Sequence, residues 1–229
     1  MIYFILLNSS LTAREMVIHF LITIFVYMIS ITIHEFFHAF VAYKCGDPTA
    51  KLAGRMTLNP FSHLNLFGFI MFIFLGIGWA KPVPTNPVNF KSYKKGTRAV
   101  SVAGVLANFA FGLLATIIYT ILLATTGFSS EFLLWIQFIL QYIMLVNSFL
   151  FMFNILPIPP MDGYNFITTF MKGENKFTKF ATYHGFKIFL AFILVGVLTD
   201  LFFGFDIFNL YLEVIYNFVY MPITWLGVL

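Results

Sequence analysis

His34-Glu35-Phe36-Phe37-His38 sets two histidines four residues apart, with a glutamate directly after the first. On a helix, positions i and i+4 lie one above the other on one face, so both imidazoles can reach a single zinc ion. Glu35 is rotated from His34 by about 100° and can reach a water beside that ion, which is the place of a general base in a hydrolase. The motif sits inside the apolar run from Met16 to Tyr43. Ionisable groups at such depth are costly and mark function by default. The bland alternative is three polar residues hydrogen-bonded to neighbouring helices.

The elements that must position them are set by composition. Of 229 residues, 60% are hydrophobic and 10% charged, against about 25% charged in a soluble domain. The fold expected is an all-α polytopic membrane protein in one domain over 1–229, with a catalytic core of about 16–163 and C-terminal helices over about 185–229. It should carry about five to six transmembrane helices, a re-entrant segment, and a possible short β-hairpin within 52–58, between the first two. Met16 to Tyr43 would make a helix of roughly 40 Å, enough to cross a bilayer with tilt. Further apolar runs cover about 64–80, 99–125, 132–156, 186–204 and 207–229. Lys and Arg gather in 44–63, 81–98 and 172–187, whereas 126–131 and 201–213 hold none. Positive residues favour the cytoplasm, so the three basic segments belong inside. That requires 64–80 to enter the membrane and return, or to lie at its surface. The count is then five full spans and one re-entrant or interfacial segment, with the site toward the cytoplasmic side. The formal charge of +4 reflects topology and is no nucleic-acid signal. One cysteine, Cys45, excludes an internal disulfide and a multi-cysteine metal site. Residues 2–7 are apolar without the flanks of a removable signal peptide.

Zinc needs a third protein ligand and an open position. The soluble pattern H-E-x-x-H-x-x-G-x-x-H fails, because Val41 and Lys44 stand at its Gly and His positions. Downstream of Glu35, Glu131, Asp200, Asp206 and Glu213 fall toward the outer face, and Glu174 sits in a Lys-rich loop. Asp47 lies in Gly46-Asp47-Pro48, a turn. Asp162 remains, at the end of Asn154-Ile155-Leu156-Pro157-Ile158-Pro159-Pro160-Met161-Asp162-Gly163. It follows a span running inward and so arrives at the depth of His34 and His38. Its three prolines force the chain off the helix, and non-helical backbone at that depth belongs in buried or wet surroundings. Asn108, an amide within an apolar span, has two open roles. It could donate to an oxyanion or the substrate backbone as a catalytic residue, or it could only bond between helices. Asn147 and Asn154 raise the same question. His19 is roughly 22 Å from His34 along a helix, too far to be a ligand.

The His34–His38 motif with Asn154 to Gly163 resembles the site-2 protease family of intramembrane zinc metalloproteases, in its small prokaryotic branch. Gly46-Asp47-Pro48-Thr49-Ala50-Lys51, Gly54-Arg55-Met56-Thr57-Leu58-Asn59-Pro60 and Gly78-Trp79-Ala80-Lys81-Pro82-Val83-Pro84 carry the resemblance further. It covers about residues 30 to 170. The family's H-I-D-P-x-G reads His63-Leu64-Asn65-Leu66-Phe67-Gly68 in this chain, and its A-G-P-x-x-N reads Ala103-Gly104-Val105-Leu106-Ala107-Asn108. The resemblance implies zinc on His34, His38 and Asp162, Glu35 as base, and a transmembrane protein as substrate. A helical substrate would have to unwind before attack, and an edge strand within 52–58 could hold the unwound stretch. The rival class is a pseudoprotease or membrane chaperone of the same fold, for which Glu35 would have no use.

Overall fold

The computed structural model describes residues 12–75, 78–171, 175–204 and 210. These form α1 (Ala13–Lys44), α2 (Thr49–Leu52), α3 (Leu66–Leu75), α4 (Tyr93–Thr126), α5 (Glu131–Ile155), α6 (Asp162–Thr168) and α7 (Lys176–Phe203), with short 3-10 turns at Pro60–Ser62 and Pro87–Asn89. Helices α1, α4, α5 and most of α7 (Thr178–Phe202) are long and apolar enough to cross a membrane. The run expected over 207–229 lies outside the described residues, Leu210 excepted.

Local chemistry fixes the helix ends. Thr12 and Glu15 form a capping box that opens α1, with Glu15 Oε2 accepting from the Thr12 N–H at 2.7 Å. Ser130 caps α5, and Asn175 caps α7 through the Thr178 N–H. Helix α4 closes on Gly127 at φ 58°, whose N–H reaches the Leu123 carbonyl; the left-handed position suits glycine. Both α4 and α7 start well before their apolar runs. Lys94, Lys95 and Arg98, expected in a loop, lie on α4, and Lys176, Lys179, His184 and Lys187 lie on α7. Hydropathy marks where a helix would meet lipid, and lysine is a good helix former on either side of that point.

The bundle packs α1 against α4 and α5. Val26, Tyr27 and Ile31 of α1 meet Phe72 of α3 and Val146 and Leu150 of α5. Ala115 of α4 meets Leu140 and Met144 of α5. Outward positions are apolar as well: Phe25 is 63% exposed, Leu201 73% and Phe202 72%. Such surface needs a non-aqueous neighbour, which hydrocarbon supplies.

The segment 64–80 leaves and returns at one place. The Lys81 N–H donates to the His63 carbonyl at 2.8 Å, so its two ends are tied together. Ten-residue α3 is about 15 Å long, half a hydrocarbon core. Gly68 and Gly78 allow the close return: a Cβ on Gly68 would lie 2.3 Å from the Trp79 carbonyl oxygen, and one on Gly78 2.4 Å from that of Gly68. The basic connections on either side of this segment are also joined, through Lys91 N–H to Cys45 O at 2.9 Å and Asn86 N–H to Asp47 Oδ2 at 2.6 Å. They occupy one end of the bundle.

The strands expected within 52–58 do not form. Leu52 ends α2, Gly54 turns at φ 66°, and the Arg55 N–H bonds back to Ala50 O. The Thr57 carbonyl accepts from His63 Nε2 at 2.8 Å. Backbone groups committed to local turns and to a side chain leave no ladder, and no strand occurs among the described residues.

Candidate metal centre

Three elements bring the donors together. Helix α1 carries His34 and His38 one turn apart on the face toward α4 and α5. Asp162 arrives from the chain after α5, where Pro157, Pro159 and Pro160 keep residues 156–161 out of helix until α6 begins at Asp162 itself. Gly163 allows this approach, because a Cβ there would sit 2.1 Å from the Ile155 carbonyl oxygen. Gly104 of α4 makes room on the other side: its Cβ would fall 2.4 Å from His38 Nε2 and 2.6 Å from His34 Cε1.

His34 Nε2 and His38 Nε2 lie 3.0 Å apart. Asp162 Oδ2 is 3.3 Å from the first and 3.0 Å from the second. Ligands about 2.0–2.1 Å from a tetrahedral zinc stand roughly 3.3–3.4 Å from one another, so these spacings are close to the edges of such a site. The far side of each ring shows what the three atoms carry. His38 Nδ1 faces the Val100 carbonyl at 2.8 Å; a carbonyl only accepts, so Nδ1 holds the proton and Nε2 a lone pair. His34 Nδ1 lies 2.6 Å from Asn108 Oδ1, which sets the same tautomer. The short Nε2–Nε2 contact is therefore between two lone pairs, not a hydrogen bond. Asp162 Oδ2 is buried and accepts no hydrogen bond. Three electron-rich atoms in mutual contact fit a cation, with each histidine oriented from behind as metal-bound histidines are. His34, His38 and Asp162 are the one group of metal-binding geometry among the described residues.

Glu35 is 7% exposed and stands beside this triangle, outside it. Its Oε2 accepts from the Val83 N–H at 2.8 Å. Val83 belongs to Pro82-Val83-Pro84, whose side chain packs on Ala39 and Ala50. His34, Glu35, His38 and Asp162 line a cavity of about 680 Å³ that extends past Trp79 and Phe153 to Thr85 and Tyr93.

Asn108 is fully buried behind His34. Its Oδ1 faces His34 Nδ1, and its Nδ2 donates to Ser30 O at 3.2 Å and Asn147 Oδ1 at 2.8 Å. Of the two roles open from the sequence, these contacts are the interhelical ones; both amide hydrogens are engaged. Asn154 lines the cavity, with Nδ2 on the Leu150 carbonyl of its own helix. Asp47 is no part of the centre. It accepts from Asn89 Nδ2, Thr49 N and Asn86 N and ties two loops together. Burial pushes its carboxyl up, but the bonds from Asn89, Thr49 and Asn86 outweigh that and hold it below the usual range. His19 pairs with Tyr142 and His63 with Thr57, both away from the centre. Glu174, Asp206 and Glu213 lie outside the described residues.

Sequence reasoning missed four contributors: the Val100 carbonyl, the Val83 N–H, Asn147 as a partner of Asn108, and the clearance at Gly104. A backbone group has no sequence signature. Gly104 carried a signal, being a glycine within a helical apolar run.

The fold and the donor set define a helical protein with membrane-length spans and a buried two-histidine, one-aspartate metal centre. Proteins carrying the name "Putative zinc metalloprotease" match the chain. YwhC of Bacillus subtilis is 38% identical over 175 residues, which cover 72% of this chain and 76% of that protein. Rip2 of Mycobacterium tuberculosis is 28% identical over 165 residues, covering 69% of this chain and 60% of that protein. Rip2 of Mycolicibacterium smegmatis is 28% identical over 195 residues, with 80% and 71% covered. No family model and no solved structure matches. The chain belongs to the zinc metalloprotease family of YwhC, and zinc is the cofactor that this family and these three donors imply.

Proposed function

We propose that the chain is an intramembrane endopeptidase of the site-2 protease type, cutting peptide bonds within or near transmembrane segments of other membrane proteins. The observation that carries this reading is the triangle of His34, His38 and Asp162 with Glu35 beside it, in a cavity lined by membrane-length helices and by the chain over 78–90. Zinc held by the three donors supplies Lewis acidity toward a carbonyl oxygen. Glu35 takes a proton from the attacking water and passes it to the leaving amine nitrogen as the peptide C–N bond breaks. The Val83 N–H holds one carboxylate oxygen and so aims the other. A helical substrate hides its carbonyls in its own hydrogen bonds, so the scissile stretch must unwind to enter. Lys44, Lys51, Arg55, Lys91, Lys94, Lys95 and Arg98 gather at the joined end of the bundle, which supports a cytoplasmic position for that end.

Glu35→Gln against His38→Ala tests this in the full chain. Glu35→Gln should keep zinc near one equivalent while turnover of a transmembrane substrate falls by about 10² to 10⁴, the worth of a general base. His38→Ala should lose metal and activity together, since two protein donors hold zinc poorly. Cleavage by Glu35→Gln at the wild-type rate would refute the mechanism. Zinc-replete wild type that cuts no member of a broad panel of membrane substrates would favour a pseudoprotease.

A further inference from the structure

Behind the metal centre lies a run of fully buried polar groups that the chemistry above does not use. Ser30, Asn108 and Asn147 each have 0% exposure and come from three different helices, α1, α4 and α5. Their bonds leave one arrangement. Asn147 Nδ2 donates to the Ile143 carbonyl at 2.8 Å and to Ser30 Oγ at 2.9 Å. A carbonyl cannot donate, so the nitrogen of Asn147 must face Ile143 and its oxygen must face Asn108. That oxygen takes one Asn108 hydrogen, and the Ser30 carbonyl takes the other. The oxygen of Asn108 is thereby turned onto His34 Nδ1.

We infer that Asn147, acting through Asn108, is a positioning residue that locks His34 in the tautomer that binds zinc. This rests on the metal centre proposed above. The alternative orientation shows what the lock prevents. If the Asn108 amide flipped, an N–H would face His34 Nδ1, which would have to accept; the proton would move to Nε2 and remove the lone pair the metal needs. Two backbone carbonyls, Ser30 O and Ile143 O, oppose the flip, and the second acts only through Asn147. His38 is outside this network, because Val100 O sets its tautomer. The polar groups therefore specify one nitrogen of one ligand, more than gluing three helices together requires.

The test uses Asn108→Ser, Asn147→Ser and the double variant in the detergent-solubilised full chain. Serine is a mild replacement because in these helices it satisfies itself on the carbonyl four residues back, as Ser148 Oγ does on Met144 O at 2.6 Å. Zinc affinity is read by chelator competition, ligand geometry by the visible spectrum of cobalt-loaded protein, and folding by thermal unfolding of the metal-free form. Loss of an outer partner of a ligating histidine lowers metal affinity by about 10- to 100-fold, and Asn108→Ser should fall in that range. Asn147→Ser should lower it by a smaller factor and change the cobalt spectrum. In the Asn108→Ser background it should change nothing further, since its effect runs through Asn108. A purely packing role would lower the metal-free unfolding temperature and leave affinity alone. Wild-type affinity in Asn147→Ser, or an equal loss in both backgrounds, overturns the proposal. If Asn147→Ser fails to fold, Asn147→Thr, which can satisfy itself on the carbonyl four residues back as Thr23 Oγ1 does on His19 O, replaces it and must show the same dependence on Asn108. His38→Ala is measured alongside. If it retains zinc, the metal centre itself is wrong; if it loses zinc while the serine variants bind normally, only the lock is wrong.

Discussion

Gly104→Ala puts the metal centre under the most direct strain. The added methyl carbon would sit 2.4 Å from His38 Nε2, 2.6 Å from His34 Cε1 and 2.7 Å from His34 Nδ1. Non-bonded carbon contacts are favourable at about 3.5–4.0 Å, so each ring must retreat by roughly 1 Å. Neither is free to do so, because Asn108 and the Val100 carbonyl hold them from behind. Metal sites tolerate displacements of about 0.2 Å in ligand distance. The expected loss of zinc affinity is therefore at least about 100-fold, the upper end of what removing an outer partner does. Alanine is the better helix former by about 1 kcal/mol, so the helix itself gains. Metal-free protein should stay folded while binding fails, a combination that a generally disruptive mutation does not give. Zinc titration and metal-free unfolding, read on one sample, check it. Gly127→Ala is the control: its φ of 58° makes alanine strained there, so unfolding should shift while zinc affinity stays. One tightly held zinc in Gly104→Ala would refute this packing of His34 and His38 against α4.

The same geometry makes further predictions. Gly163→Ala forces a methyl carbon against the Ile155 carbonyl oxygen; the start of α6 must shift, and zinc affinity should fall by at least about 10-fold by titration, since Asp162 moves with it. Asp47→Asn should loosen the loop that presents Val83 to Glu35, lowering turnover with little change in zinc content, as kinetics and metal analysis on one preparation would show. The folded carboxyl of Asp47 is depressed, so its stabilisation is present above the unfolded value of about 3.9 and is lost as pH falls from there through the folded value. Unfolding curves of wild type should converge on those of Asp47→Asn over that acid range, and a constant gap would count against the assignment. Tags within 44–63 and 81–92 should report one side of the membrane; opposite sides would contradict the bond between His63 and Lys81.

The metal donors are legible in the sequence because their signals are local or topological. A four-residue spacing decides the shared face of His34 and His38, and counting Lys and Arg by segment places Asp162 at their depth. The bond that joins the ends of 64–80, Lys81 N–H to His63 O, has no sequence signature, and Gly68 and Gly78 are explained only by the contact between them. The strands expected within 52–58 fail because a short stretch with Gly54 in it and Thr57 as its one β-branched residue carries little information about pairing. What decides the outcome is the demand of His63 for a carbonyl at Thr57 and of Arg55 for one at Ala50. Helices α4 and α7 start earlier than their apolar runs suggest, because lysine-rich first turns look like loops to a hydropathy count.

Polar satisfaction links the helices to the site. In hydrocarbon an unsatisfied polar group costs several kcal/mol, so a polar residue on α1 must find a partner or a purpose. Thr23 and Thr32 bond to their own helix at His19 O and Met28 O. Ser30 bonds to Asn147, Glu35 to Val83, and the outer nitrogens of His34 and His38 to Asn108 and Val100. Other buried atoms stay unpartnered, among them Tyr27 Oη, Thr120 Oγ1 and Arg55 Nε, the last on a guanidinium that donates through Nη2 to the Lys81 carbonyl. Asp162 Oδ2 differs in kind: it is a carboxylate oxygen facing two nitrogens whose protons are accounted for elsewhere. Protonating one histidine on Nε2 keeps its Nδ1 bond but leaves the other histidine's Nε2 lone pair against Asp162 Oδ2, and protonating both sets two N–H groups against each other. A divalent cation relieves all three contacts and leaves every outer bond intact, which is why the arrangement is that of a metal centre rather than a buried ion pair.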